Sequence, residues 1–193
     1  NMSGRDWYIR WDKESIIKNN VVSPKQYDSI VPYIDIDIKG RALYKNRLMM
    51  LDLIANNNWK RPIYFSGGAY DDEDFLWMKN YLQLDGMTYK LVPIKTEIPK
   101  DASPLEMGGI DTDKMYANVM KWDWGNSESL SIYHDPETRK NSITYRSYLS
   151  RLMNQLILEG KKEKAKNIIT LAMNKMPLEQ FGYYSLLEPF AKG

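Results

Sequence analysis

The sequence contains no cysteine and a single histidine in 193 residues. The first absence excludes a disulfide scaffold, a thiol nucleophile and any cysteine-ligated metal, although it assigns no compartment. The second excludes a zinc site built from several histidines. A large charge of one sign is also missing: 27 Lys and Arg stand against 25 Asp and Glu, leaving a net charge of +2. Nucleic-acid binders usually concentrate a basic excess, so that class is set aside. No window approaches ~18 consecutive apolar residues, so no membrane span is expected in this chain. Asn1-Met2-Ser3-Gly4-Arg5-Asp6 leads into no apolar run, so no signal peptide is expected.

What is present is globular in balance, with 43% apolar and 27% charged residues and enough length to bury a core. Tyr and Trp are abundant, at 14 and 6. Such rings bury area while keeping a polar handle, which suits cores, interfaces and sugar-binding surfaces alike. Near the N-terminus, Trp7, Tyr8 and Trp11 lie beside Arg5, Arg10 and Lys13. This stretch reads as an aromatic segment packing on the domain, or else as a membrane-interface or partner contact.

Residues 29–38 end in strict alternation, with Ile34, Ile36 and Ile38 on one side and Tyr33, Asp35 and Asp37 on the other, a half-buried strand. Leu43, Leu48, Leu51, Ile54 and Ala55 predict a helix over 43–57, stopped by Asn56-Asn57-Asn58. Arg61–Ser66 reads as a strand and Gly67-Gly68 as a turn. Acids at 71–74 open an expected helix carrying Phe75, Leu76, Met78, Tyr81 and Leu82, ended by Gly86. Met87–Val92 reads as a third strand. Strands alternating with helices at these distances predict parallel pairing with crossover helices. A long loop over 95–110, a short helix near 113–121 and a polar loop to Asn141 follow.

The last fifty residues change character. Tyr148, Leu149, Leu152, Leu156 and Ile157 form one helical face, and Ala165, Ile168, Ile169, Ala172 and Met176 the next. With Gly160 at the turn and Pro177 as terminator, this end resembles a tetratricopeptide repeat, whose period is ~34 residues. Tyr183, Leu186, Leu187 and Phe190 fall where a second repeat would begin. The expected fold is therefore α/β: a small parallel or mixed, three-layer-type sheet with crossover helices, then a tetratricopeptide-like helical hairpin. The expected domains are 1–141, with an N-terminal extension and long loops, and 142–193.

Several clusters carry chemistry. Trp122-Asp123-Trp124-Gly125-Asn126 is the leading binding surface, since flat indoles stack on sugars and side chains while Asp123 and Asn126 take hydroxyls. The alternative is that both indoles plug the junction between the α/β layer and the helical end. Tyr133-His134-Asp135-Pro136-Glu137-Thr138-Arg139 gathers the one histidine with acids and an arginine, so His134, Asp135 and Arg139 are the candidate catalytic groups. The plainer reading is a solvated turn begun by Asp-Pro. Asp35 with Asp37, and Asp111 with Asp113, are i, i+2 carboxylate pairs without EF-hand spacing, read as surface acids. Gly67-Gly68 matches no phosphate-loop pattern and is followed by acids that would repel an anion. No metal and no cofactor is expected.

Four runs taken together go further: Leu51–Phe65, which holds Trp59-Lys60-Arg61-Pro62-Ile63-Tyr64-Phe65; Tyr81–Gly86 leading to Tyr89–Pro93; Asp111–Tyr116; and Tyr133–Arg139. Over roughly residues 5–193 the chain resembles the C-terminal soluble region of a bacterial multi-spanning membrane-protein family of unknown function. That family is similar to the transmembrane protein O-mannosyltransferases of the GT-C glycosyltransferase type. The resemblance implies an extracytoplasmic, periplasmic domain following the last membrane span. In GT-C enzymes the catalytic acid lies on an early loop of the membrane part and the sugar donor is lipid-linked, so no catalytic residue carries over. The expected function is a non-catalytic domain binding an acceptor protein, a glycan or a partner. The alternatives are a stand-alone hydrolase or transferase using the His134 loop, and a scaffold docking other subunits through a groove beside Tyr183 and Phe190.

Overall fold

The structure, a computed structural model, describes residues 7–36, 43–66, 78–99 and 104–192. The expected strand end at Asp37 and Ile38, the Gly67-Gly68 turn and the helix start at 71–76 lie outside these residues. The fold is α/β, with two small sheets and a C-terminal helical hairpin, as the sequence predicts. By contacts the chain divides into two compact units: 1–84 with 88–109, and 85–87 with 110–193.

In the first unit, β1 (Trp7–Arg10) pairs antiparallel with β2 (Tyr33–Ile36), Ile9 opposite Ile34. The alternation in β2 appears as burial: Ile34 and Ile36 are inside, Tyr33 and Asp35 outside. Helix α1 (Lys13–Lys18) is capped by Asp12, which accepts from the Glu14 and Ser15 amides. Trp11 Nε1 donates to the Val31 carbonyl at 2.6 Å, and its ring meets Trp59 edge-on at 5.1 Å. These contacts place that tryptophan in the domain's own packing. Helix α2 (Lys45–Asn57) buries Leu51 and Ile54 and ends at Asn58, whose φ of +44° is left-handed. Asn and Asp reach that region more readily than other side chains, which is why the Asn run stops the helix.

The second sheet is mixed, in the order β3-β5-β4-β6, with β3 Tyr64–Ser66, β4 Leu82–Asp85, β5 Thr88–Leu91 and β6 Gly109–Ile110. Two expectations are corrected here. The β3–β5 pair is antiparallel, not parallel. Residues 82–85 form a strand, where the helical spacing of Met78, Tyr81 and Leu82 predicts a helix. All three are buried, but Met78 precedes a 3-10 turn (Lys79–Tyr81), Tyr81 ends it and Leu82 opens β4. The two-residue turn Gly86-Met87, with Gly86 at φ +68°, brings Leu82 and Leu84 beside Tyr89 and Leu91. Burial of these four on one sheet outweighs a spacing preference that by itself is weak.

In the second unit, α3 (Thr112–Val119) starts at the Asp111 cap. Helix α4 (Pro136–Leu158) begins well before Asn141, inside the stretch read as loop. Asp135 caps it and Pro136 takes its first position, where proline's missing N–H costs nothing. Helix α5 (Lys162–Lys175) returns antiparallel to α4, burying Ala165, Ile168 and Ala172 against a face of Leu149, Leu152, Met153 and Leu156. Beyond Pro177 the chain forms α6 (Leu178–Phe181), a 3-10 turn (Tyr184–Leu187) and α7 (Glu188–Lys192). Where a first helix is expected from Tyr183, the chain runs as 3-10 and then α-helix from Tyr184, and the positive φ of Gly182 and Tyr183 sets it apart from α6.

Candidate functional site

Within the second unit, the loop between α3 and α4 is shaped by its own turns. Asp123 Oδ1 accepts from the Gly125 amide at 2.9 Å, and Gly125 and Asn126 take left-handed φ. The Ser127 amide then donates to Trp124 O at 2.9 Å. This winding sets Trp122 and Trp124 side by side, 5.6 Å between rings, with Tyr145 of α4 5.7 Å from each. Gly86 lets Trp122 approach the turn before β5: a Cβ there would lie 3.3 Å from the indole.

The loop is tied to the following helices. Ser127 Oγ donates to Lys175 O at 2.5 Å, and Gln180 Nε2 to Ser129 O at 2.6 Å. Lys175 pairs with Glu128, and that hydrogen bond holds the Glu128 carboxyl below its ordinary value. His134 Nε2 lies 2.8 Å from Ser127 O, and its ring stacks on Phe181 with centroids 4.4 Å apart. A carbonyl oxygen only accepts, so Nε2 carries the proton.

These elements enclose a cleft of about 500 Å³. Trp122, Asp123, Trp124 and Gly125 line one part, and His134, Met176 and Phe181 another. Helix α4 supplies Thr138, Asn141, Ser142 and Tyr145. Their i, i+3, i+4, i+7 spacing is one helix face. The volume is in the range of small-ligand sites.

The residues singled out from sequence distribute as follows. Trp122, Asp123, Trp124 and His134 meet on the cleft. Asn126 is exposed outside its lining, serving as a turn residue whose carbonyl accepts from the Ser129 amide. Asp135 is committed to the α4 cap, accepting from the Glu137 and Thr138 amides at 2.9 and 3.1 Å and from the Thr138 hydroxyl at 2.6 Å. The hydroxyl bond, then the amides, hold its carboxyl below the ordinary value. Arg139 is half-buried and also outside the lining. Asp111 caps α3, while Asp113 pairs with Lys161 and Lys164, each at 2.8 Å. Among the described residues no cluster of acids and histidine has the make-up of a metal site. At the C-terminus Tyr183 is exposed, but Phe190 is buried.

Several lining groups escape a sequence reading, among them Asn141 and Tyr145. The signal was their helical spacing from Thr138, visible only once α4 is known to start at Pro136.

Residues 3–114 match the family model described as TMEM260-associated domain 2. Comparison with curated proteins and with solved structures gives no match. No helix among the described residues is long and apolar enough to cross a membrane. The aromatic loop and α4, which form most of the cleft, lie beyond the matched span.

Proposed function

Since the chain belongs to the TMEM260-associated domain 2 family, a family linked to a transmembrane protein, we propose that it is the extracytoplasmic, periplasmic domain of a glycosyltransferase-like membrane protein. In this reading it does not transfer sugar itself. It holds the acceptor, a protein segment or a glycan, while the membrane part performs the chemistry. The tetratricopeptide-like hairpin of α4 and α5 serves as the frame on which the acceptor cleft is built.

One observation carries the reading: the cleft of the second unit, where Trp122, Trp124 and Tyr145 form an aromatic wall beside polar groups. Such a surface binds by stacking and hydrogen bonding without needing an acid–base pair. Titrating the chain with acceptor-type Ser/Thr peptides and with oligosaccharides, followed by tryptophan fluorescence, tests it. Saturable binding that weakens in Trp124→Ala is expected. A flat response to both panels would overturn the reading.

A second reading is favoured by His134, whose ring lines the same cleft with Nε2 tied to Ser127 O. A hydrolase or transferase would use its Nδ1 as a base. That reading needs an acid partner, and Asp135 is engaged in the helix cap, which leaves Asp123 as the acid on the cleft lining. Hydrolysis of a glycoside or ester abolished in His134→Gln would favour it over acceptor binding.

A further inference from the structure

The polar groups around the cleft of the second unit divide into those already used and those left open. Ser127 Oγ donates to Lys175 O, Ser142 Oγ to Arg139 O at 2.6 Å, and Thr138 Oγ1 to the Asp135 carboxylate. These hydroxyls hold the walls together. Left open are the Asn141 amide, the Tyr145 hydroxyl, Asp123 Oδ2, His134 Nδ1 and the indole N–H of Trp124. In the Nε2-protonated tautomer the ring presents a lone pair at Nδ1. The open set therefore holds acceptors, an indole donor, and an amide and a phenol that both donate and accept.

A hydroxyl group, being donor and acceptor at once, satisfies each of these. A phosphate or carboxylate would instead face two acceptors and need a cation. Among the described residues no Lys or Arg lines the cleft. Arg146, one turn beyond Ser142, is fully buried outside the lining, and gives Nη1 to Gly182 O at 2.5 Å and Nη2 to Met176 O at 2.8 Å. Lys175 is held by Glu128. The remaining wall is mostly aromatic, with Met87 and Met176, and Trp124 Nε1 is buried with no acceptor among the described residues. A pyranose ring has this complement: apolar C–H groups on its face and hydroxyls around its edge.

The geometry points to a neutral saccharide as the ligand of this cleft, stacked on Trp122 and Trp124 and hydrogen-bonded to Asp123, Asn141 and His134, in preference to a phosphorylated sugar. The inference rests on the reading above that the cleft is a binding site.

The test is calorimetric titration of the whole chain with neutral disaccharides of glucose, galactose and mannose, with the corresponding sugar 1-phosphates, with inorganic phosphate, and with a Ser/Thr-rich peptide. At least one neutral disaccharide binds saturably, and its 1-phosphate counterpart binds no more tightly. Trp124→Phe, which keeps an apolar ring, and Asn141→Ala, at an exposed position, each weaken that binding about tenfold. Tighter binding of the 1-phosphates, or saccharide binding untouched by both variants, overturns the inference. Binding of the peptide without any saccharide overturns it too while leaving the acceptor reading intact. Silence of every probe overturns both.

Discussion

Among the described residues, Arg146 is the largest side chain with no exposure, and none of their carboxylates pairs with it. Burial pushes its guanidinium below the usual value. Its work is to join α4 to the carbonyls of Met176 and Gly182, at either end of the segment that carries Phe181. Arg146→Met removes a buried charge, which is favourable, but leaves two carbonyls without donors, which costs more when they are buried. A net loss of about 1–2 kcal/mol in urea unfolding is expected; unchanged stability would contradict this role. At the same scale, the residues of the cleft were only partly legible. Trp122, Trp124 and His134 stand out by chemical type, and the structure puts them on one cleft. That they meet depends on a Ser127 carbonyl and a Phe181 ring, which no local pattern announces. Asp135 drew notice as an acid beside a histidine, yet Asp-Pro before a polar helix start is also the mark of a cap, and the cap is what forms.

Among the elements, those whose burial repeats regularly were readable. Ile34 and Ile36 alternate, and Leu149, Leu152 and Leu156 return every three or four residues because one face of each element is wet. Strand β1 was not readable: four residues long, it is defined by pairing with β2 some 25 residues away. Strand β4 was hidden by a short apolar run that fits either period. The ends of α4 give two pH predictions. At its start, the Asp135 carboxyl is lowered by Thr138, so its contribution is complete above the unfolded carboxylate value and is lost as pH falls through the folded one. Asp135→Ala should therefore lower Tm by a few degrees at neutral pH and converge with the parent chain in acid; a gap that widens in acid would contradict the sign. At its far end, Lys161 meets Asp113 and Glu159 at 2.8 Å, and Thr112 at 2.9 Å. Asp113 first, then Glu159, raises the Lys161 value. Burial pushes Glu159 up, but bonds from Lys161 and Thr112 outweigh it and leave it lowered. The raised lysine contributes below its unfolded value and loses that contribution as pH rises through the folded one; the lowered glutamate does the reverse in acid. Lys161→Met should cost about 1 kcal/mol between these ranges, read from denaturant midpoints across pH, with the cost fading at both extremes. In the core of the hairpin, Ala172 is fully buried where α5 packs on α4. Ala172→Leu should destabilise by about 1–3 kcal/mol through overpacking; a neutral thermal melt would show that the two helices can separate freely.

For the molecule as a whole, the family match and the cleft lie on different parts of the chain. Residues 3–114 carry the match, while most of the cleft is built from residues 122–181. An α/β class with a C-terminal hairpin follows from the order of short strands and long apolar helices. The mixed pairing does not, because strand direction is set by the turn at Gly86-Met87 and by contacts across the sheet. The central claim is that ligand enters the cleft of the second unit against its tryptophans. The most direct test follows indole 15N–1H resonances while the chain is titrated with acceptor peptide and with neutral disaccharide. Trp122 and Trp124 should shift with saturation by at least one of the two. Trp11, whose indole N–H is bonded to Val31 O in the first unit, should hold still. Shifts confined to Trp11 and Trp59, or no shift with either ligand, would contradict the account.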